Sequence, residues 1–340
     1  KSRHDSTLFL KKIKGGTKTF NQLEKILTRK ELARYKNVIE KKKYGNVEIR
    51  RFWYRRWMRT LPAYYAVLSL TILQQFLTKE TFDFPWAYLF FLQNYQVDLD
   101  IFYVSWSLSV EEQFYIFWPL LIMVTPKKHL KKLFVGAILG GLGFRILYTV
   151  VYKIYPIPFF HENMAIALYA LPFTHLDAFG FGAFLTRYEF KKPKLQLAIL
   201  AVIAPLLGFG TRFLTTGSWT DTLSGLGYPF AMPKGGQYIW GYTILNYLFA
   251  VLIYLIMREK LFVRFLEHSW LRYLGKISYG LYVYHFAVIW FVGRIIFDDL
   301  LGNLTYAQGV LIQTILAFPL TVLIASASYY FLEKPILSLK

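Results

Sequence analysis

The stretch Leu133–Tyr152, LFVGAILGGLGFRILYTVVY, decides the fold class, because in these twenty residues the single charge is that of Arg145. A helix of this length, at 1.5 Å per residue, crosses a hydrocarbon core of about 30 Å. The chain contains further apolar runs of similar length at Leu61–Thr78, Trp106–Thr125, Met164–Thr186, Leu195–Phe213, Tyr238–Met257, Ile277–Phe297 and Gln308–Leu332. We therefore predict an all-α, polytopic membrane helix bundle with about eight transmembrane helices.

The composition supports a membrane protein over a soluble one. Charged residues make up 18% of the 340 residues, against about 25% in soluble domains. The formal net charge of +20 would suggest nucleic-acid binding in a soluble chain. Beside long apolar runs it fits basic cytoplasmic loops, so we expect a lipid bilayer as partner and no nucleic acid.

Cysteine chemistry is excluded, because the chain has no cysteine. This removes disulfides, thiolate nucleophiles and Cys-based zinc sites. The six histidines form no HxxxH or HExxH pattern on one helix face, so we expect no metal.

The Lys and Arg residues predict the orientation of the spans, because cytoplasmic loops collect positive charge. With the N-terminal region inside, 34 of the 40 basic residues fall on the cytoplasmic side, three on the other side and three within spans. We expect the plasma (inner) membrane as the location, with both termini in the cytoplasm.

Two segments do not fit the pattern of long spans. Phe84–Tyr95 is too short to cross a bilayer, and we predict a re-entrant or interfacial segment packed on the bundle. Residues 1–50 are rich in Lys and contain no span. We therefore divide the chain into a basic cytoplasmic segment, 1–50, and a transmembrane domain, 51–340.

Ionisable groups inside a bilayer are costly and are the default functional candidates. In the predicted spans they include Glu111, Glu112, Arg145 and Asp177. Adjacent helical residues point about 100° apart, so we expect one of the two glutamates to face a cavity and the other to make a structural pair. Arg145 is a natural partner for a carboxylate or a bound anion, and a purely structural Arg145–Glu pair is the alternative.

The block Arg50–Pro62 forms the densest cationic cluster, at the cytoplasmic end of the first span, and it contains Arg55, Arg56 and Arg59. Neighbours three or four residues apart share a helix face, so a forked guanidinium site for phosphate groups is easily formed. An anchor to anionic lipid headgroups explains the same charges, and charge alone does not separate the two.

Four motifs resemble those of the acyltransferase family 3 membrane proteins. Ser105–Pro119, SWSLSVEEQFYIFWP, follows Phe91–Asn94 and is similar to the signature of that family. Arg55–Pro62 resembles its RRxxRxxP element and Ser278–His285 its SYxxYxxH helix. Tyr329–Pro335 resembles its closing element, and the resemblance runs from about residue 45 to the C-terminus.

Two departures from the family pattern bear on activity. The family pattern begins with two further helices, the first carrying an Arg and a His regarded as catalytic, so the chain resembles an N-terminally truncated member. If this chain alone is the protein, we expect weak or no transferase activity. His175 stands where the family usually shows an Arg before Leu176 and Asp177, which weakens a role for that pair.

The resemblance implies transfer of an acyl group, usually acetyl, from acyl-CoA to a hydroxyl of a cell-envelope glycan or related carbohydrate. It implies that the arginines bind acyl-CoA on the cytoplasmic side. Counting residues from the ends of the predicted spans places Glu111 and Glu112 toward the outer face. The expected catalytic residues are Glu111, Glu112 and, in a secondary role, His285, for which a structural hydrogen bond is the alternative. The expected acceptor-binding residues are Trp106, Ser107, Arg145 and Asp177.

Two other functions remain open at this point. A proton-coupled lipid or glycan transporter also needs intramembrane Glu, Asp and Arg residues. An inactive homologue that binds acyl-CoA without turnover is the second alternative.

Overall fold

The structure is a computed structural model that describes residues 49–78, 83–95, 100–155, 163–295 and 306–338. The chain divides into two compact units, Lys1–Phe52 and Trp53–Lys340. Nearly all of the predicted basic segment lies outside the described residues, so its boundary at residue 50 stays a prediction.

The described residues form helices and turns and contain no strand, which confirms the predicted all-α class. The helices are α1 (Ile49–Thr78), α2 (Trp86–Leu89), α3 (Trp106–Val124), α4 (Leu130–Ile154), α5 (Met164–Ala170), α6 (Leu176–Arg187), α7 (Pro193–Thr216), α8 (Trp219–Leu223), α9 (Gln237–Glu259), α10 (Val263–Leu266), α11 (Ser269–Arg294), α12 (Tyr306–Ser328) and α13 (Lys334–Leu337). A π-helical turn, Tyr329–Glu333, joins α12 to α13.

Four helical segments in the described ranges are long and apolar enough to cross a membrane: Lys127–Ile154, Pro193–Thr216, Gln237–Glu259 and Gln308–Leu337. The pair Met164–Ala170 and Pro172–Arg187, bent by 65°, makes a fifth span if it is counted as one. The protein is therefore multi-pass, but the predicted count of about eight spans is not confirmed.

The three remaining predicted spans coincide with α1, α3 and α11, which are helices of 30, 19 and 26 residues. These three helices are long enough to cross a membrane but are not apolar enough to be counted as spans. Tyr, Trp, Ser, Gln and charged side chains interrupt their apolar residues. Some of those interrupting residues, among them Arg56, Glu111 and Tyr282, line the candidate site described below.

Glycine allows α4 and α6 to approach closely. A Cβ atom on Gly180 would lie 2.8 Å from Ile138 Cγ1 and 2.9 Å from the carbonyl oxygen of Phe134. A Cβ atom on Gly141 would lie 2.7 Å from the backbone nitrogen of Asp177. Side chains other than hydrogen at these two positions would push the helices apart.

Aromatic side chains fill the contact between α1 and its neighbours. Tyr64 is fully buried, with its ring centroid 5.2 Å from that of Phe102 and 4.5 Å from that of Phe91. The Tyr64 hydroxyl donates to the carbonyl oxygen of Tyr88 at 2.7 Å, and Tyr65 donates to that of Leu89 at 3.1 Å. The segment predicted to be re-entrant or interfacial thus contains the short helix α2, packed on α1.

Large apolar side chains stay exposed on the candidate spans. Leu139 of α4 is 63% exposed, Leu214 of α7 is 85% exposed and Leu323 of α12 is 66% exposed. Patches of this kind are rare on soluble monomers, and a bilayer covers them.

Candidate active site

A cavity of about 560 Å³ lies where α1, α3 and α11 meet near α5. Its wall contains two arginines, a carboxylate, hydroxyl groups and aromatic rings. The lining residues are Arg56, Arg59, Thr60, Trp106, Ser107, Leu108, Glu111, Tyr169, Ser278, Tyr279 and Tyr282.

Glu112 is buried and joins α3 to α1. Its Oε1 accepts a hydrogen bond from Thr60 Oγ1 at 2.9 Å, and its Oε2 accepts one from Trp57 Nε1 at 3.1 Å. The carbonyl oxygen of Thr60 in turn accepts from the hydroxyl of Tyr279 at 2.7 Å. This carboxylate therefore fixes three helices relative to one another and does not line the cavity.

Glu111, one residue earlier on α3, lines the cavity. The hydroxyl of Tyr115 donates to its Oε2 at 2.8 Å, one helical turn further on. The adjacent glutamates thus divide as their 100° separation predicts, with one facing the cavity and the other held in a structural contact.

Arg56 and Arg59 line the cavity, whereas Arg55 does not. The guanidinium carbon of Arg56 lies 3.9 Å from the centroid of the Tyr115 ring, which is the geometry of a cation–π contact. Arg56 Nε is buried and has no hydrogen-bond partner among the described residues. A buried donor of this kind requires an explanation, and a bound anion supplies one.

Trp106 forms an aromatic part of the wall, and its ring centroid lies 4.4 Å from that of Tyr169. The ring of His175 stacks behind it at 6.1 Å. One nitrogen of that imidazole, Nε2, lies 2.8 Å from the carbonyl oxygen of Tyr169. Trp106 is therefore held between two rings, at the cavity surface where the resemblance expects acceptor binding.

Ser107 and Tyr282 form the opposite part of the wall, and their hydroxyl groups are hydrogen-bonded to each other. Tyr282 also donates to the carbonyl oxygen of Val104 at 2.9 Å. The phenol ring of Tyr282 is thereby fixed against α3.

Amide side chains connect the Phe91–Asn94 element to the Ser105–Pro119 motif. Gln93 Nε2 donates to the hydroxyl of Tyr64 at 2.9 Å and to the carbonyl oxygen of Ser105 at 3.1 Å. Gln113 Nε2 donates to the carbonyl oxygen of Phe91 at 2.7 Å and to Asn94 Oδ1 at 2.8 Å. The Phe91–Asn94 element thus anchors the start and the middle of α3, which sets the direction of Glu111.

Arg145 and Asp177 form a fully buried ion pair, with Nη2 and Oδ2 separated by 2.6 Å. Arg145 Nε donates to the carbonyl oxygen of Ile239 at 2.7 Å, and Nη1 also donates to Asp177 Oδ1 at 3.4 Å. The guanidinium further donates to the Thr174 carbonyl oxygen and to the Thr243 hydroxyl. All five N–H groups of Arg145 are therefore engaged. Neither residue lines the cavity, so the geometry favours a structural role over the predicted acceptor-binding role, and the partner of Arg145 is Asp177 and not a glutamate.

His285 does not share the cavity with Glu111. It lines a second cavity between α11 and α12, with Nδ1 2.6 Å from the carbonyl oxygen of Tyr282. The structural hydrogen bond considered as its alternative role is present, and a secondary catalytic role remains a prediction.

The arginines and Glu111 lie closer together than their predicted positions along the spans imply. Counting from span ends placed them toward opposite membrane faces, yet Arg56, Arg59 and Glu111 line one cavity. The reason is that α1 begins at Ile49 and runs beside α3, so that Trp53 Nε1 donates to the carbonyl oxygen of Tyr115 at 2.8 Å.

Sequence reasoning missed several lining residues. Ser278, Tyr279 and Tyr282 lie in the SYxxYxxH motif, and their spacing on one helix side was a usable signal. Tyr169 lies outside every motif, and no sequence signal marks it. Among the described residues, no group of three or more His, Asp and Glu side chains is arranged to hold a metal ion.

A comparison with protein-family models identifies the family of this chain. The model of the acyltransferase 3 family, described as an acyltransferase domain, matches residues 42–330. The chain belongs to acyltransferase family 3. The matched range includes Arg56, Arg59 and Glu111 and thus the whole lining of the first cavity.

Curated relatives of this family 3 chain are similar at low identity. O-acetyltransferase OatA of Staphylococcus aureus (strain NCTC 8325 / PS 47) is 25% identical over 316 residues, covering 85% of this chain and 48% of the relative. A putative O-acetyltransferase of Staphylococcus aureus (strain COL) is 25% identical over 318 residues, covering 86% of this chain and 48% of the relative. The chain spans about half the length of these relatives. No solved structure matches the chain.

Proposed function

We propose that this chain is a membrane acyltransferase that moves an acyl group, acetyl in the simplest case, from acyl-CoA to a hydroxyl of a carbohydrate. The observation that carries the proposal is the presence of Arg56, Arg59 and Glu111 in the wall of one cavity. Family membership and the O-acetyltransferase relatives support the same reaction class.

Arg56 and Arg59 are the proposed binding groups for the phosphates of the acyl-CoA donor. Guanidinium groups bind phosphate oxygens through forked hydrogen bonds, and coenzyme A carries several phosphate oxygens. Arg56 offers the buried Nε that lacks a partner among the described residues, and Arg59 is an exposed cation beside it. The thioester would then lie near Glu111.

Glu111 is the general base of the proposed reaction. Its carboxylate accepts the proton of the acceptor hydroxyl while the hydroxyl oxygen attacks the thioester carbonyl carbon. The carbon–sulfur bond then breaks, and the proton passes to the leaving thiolate, giving the ester and free CoA. Tyr115 orients Glu111 by donating to Oε2.

The test is CoA release from acetyl-CoA by the purified full chain, with a panel of soluble oligosaccharides as acceptors. A thiol reagent reports free CoA without background, because the protein has no cysteine. We expect Glu111→Gln to lower the rate by about 100-fold or more, the usual effect of removing a general base. We expect Arg59→Gln to raise KM for acetyl-CoA more than it lowers kcat.

The matched control is Glu189→Gln, an exposed carboxylate after the end of α6, which should leave the rate unchanged. Full activity in Glu111→Gln, at wild-type folding, would exclude Glu111 as the base. Uptake of a glycan without CoA release would favour the transporter alternative.

A further inference from the structure

The second cavity, of about 500 Å³, lies between α11 and α12 and is not used by the reaction above. Its apolar lining comes from leucine, isoleucine, alanine and phenylalanine side chains. The residues that line it are Ser278, Leu281, Tyr282, His285, Ile289, Gln313, Thr314, Ala317, Phe318 and Thr321.

The polar side chains of this cavity are already hydrogen-bonded to the backbone. Gln313 Nε2 donates to the carbonyl oxygen of Ile289 at 2.8 Å. Thr314 donates to that of Val310 at 2.8 Å, and Thr321 to that of Ala317 at 2.7 Å. The polar groups of this cavity therefore need few hydrogen bonds from a ligand, and its apolar lining suits an alkyl chain.

The two cavities share part of their walls. Ser278 and Tyr282, one turn apart on α11, line both of them. A molecule with an anionic end at Arg56 and Arg59 and an alkyl end in the second cavity would pass these two residues.

We propose that the second cavity holds the alkyl chain of the acyl group, so that the donor is an acyl-CoA longer than acetyl-CoA. This rests on the proposed function and names its donor class. An acetyl group contributes a single methyl carbon beyond the thioester carbonyl and has no use for a second chamber of this size. The bonds made and broken are those given above, since the chain length does not alter the thioester.

The experiment measures dissociation constants of acetyl-, butyryl-, hexanoyl- and octanoyl-CoA for the full chain in nanodiscs of phosphatidylcholine, by calorimetry. Each buried methylene contributes up to about fourfold in affinity. We expect octanoyl-CoA to bind at least tenfold more tightly than acetyl-CoA.

Thr314→Phe fills the cavity from its exposed rim and should abolish this gain while changing acetyl-CoA affinity less than twofold. Leu311→Phe is the matched control, because Leu311 is 61% exposed and does not line the cavity. Phe318→Ala widens the cavity and should shift the preference toward decanoyl-CoA.

Equal affinities for acetyl- and octanoyl-CoA would overturn the inference while leaving the proposed function intact. So would a chain-length gain that survives in Thr314→Phe. Failure of the proposed function looks different, because it appears as the absence of CoA release in the assay above, whether or not binding depends on chain length.

Discussion

At the scale of residues, the adjacent Glu111 and Glu112 have different roles. Glu111 faces the cavity, and Glu112 holds α3 against α1. The same residue type lines a cavity in one case and accepts two hydrogen bonds from α1 in the other. Sequence reasoning predicted this division from helix geometry. It did not predict which glutamate would face the cavity, because that depends on where Trp57 and Thr60 lie on a helix some fifty residues away.

Glu112→Ala should destabilise the protein more than it affects any ligand directly. The change leaves the Trp57 N–H without its acceptor and leaves the Thr60 hydroxyl only its longer bond to the carbonyl oxygen of Arg56 at 3.3 Å. An unsatisfied buried donor costs about 1–3 kcal/mol. Thermal unfolding in detergent should therefore show a clear fall in Tm. Glu189→Ala, at an exposed position, should leave Tm unchanged, and equal Tm values for the two variants would contradict the structural role of Glu112.

The Arg145–Asp177 pair is a second residue-scale case, in which the type of interaction was predicted but its partner was not. Breaking a buried pair by removing one partner costs about 3–5 kcal/mol, because a charge is left uncompensated. We expect Arg145→Leu to lower Tm strongly and Arg145→Leu/Asp177→Leu to lower it less than the sum of the single changes. A double-mutant cycle of unfolding free energies checks this, and strict additivity would mean that the two charges are not coupled.

At the scale of elements, the helices meet in two different ways. α4 and α6 approach so closely that Gly180 has backbone and side-chain atoms within 2.9 Å of where a Cβ would be. α1 and α3 instead contact each other through long side chains such as Trp53 and Trp57. The apolar runs predicted that these helices exist, but a hydropathy pattern does not state which faces meet or how far apart they lie.

Gly180→Ala should disrupt the contact of α4 with α6. The added methyl group would lie 2.8 Å from Ile138 Cγ1, and overpacking of this kind costs about 1–3 kcal/mol. Gly182→Ala is the control on the same helix, because nothing lies within 4 Å of its Cβ position. Tm in detergent should fall for the first variant only, and an unchanged Tm in both would show that α4 and α6 adjust freely.

At the scale of the whole molecule, the sequence predicted the class of fold better than the contacts between its helices. Long apolar runs and basic loops indicated a helix bundle, and the described residues form one. Counting residues from the ends of apolar runs did not predict that Arg56, Arg59 and Glu111 share a cavity, because it took no account of how α1 packs beside α3. Tyr169 was missed because its position in the cavity wall depends on the packing of α5 and on no local motif.

The predicted orientation is testable at single positions, since the chain has no native cysteine. Lys191→Cys and Lys234→Cys introduce thiols at exposed positions on either side of α7. With positive charge inside, a membrane-impermeant maleimide should label position 234 in intact cells and position 191 after permeabilisation only. Labelling in the reverse order would invert the topology, and labelling of both in intact cells would show that α7 does not cross the bilayer.

Several tyrosine hydroxyls donate to backbone carbonyl oxygens of neighbouring elements and act as rigid spacers between them. Tyr64, Tyr279 and Tyr282 each span from their own helix to the backbone of another element. A rigid phenol ring in this position fixes the distance between the two elements, so that they can neither separate nor approach further. Glycine therefore sets how closely α4 and α6 approach each other, whereas the length of a phenol ring sets the spacing between the elements that these tyrosines join.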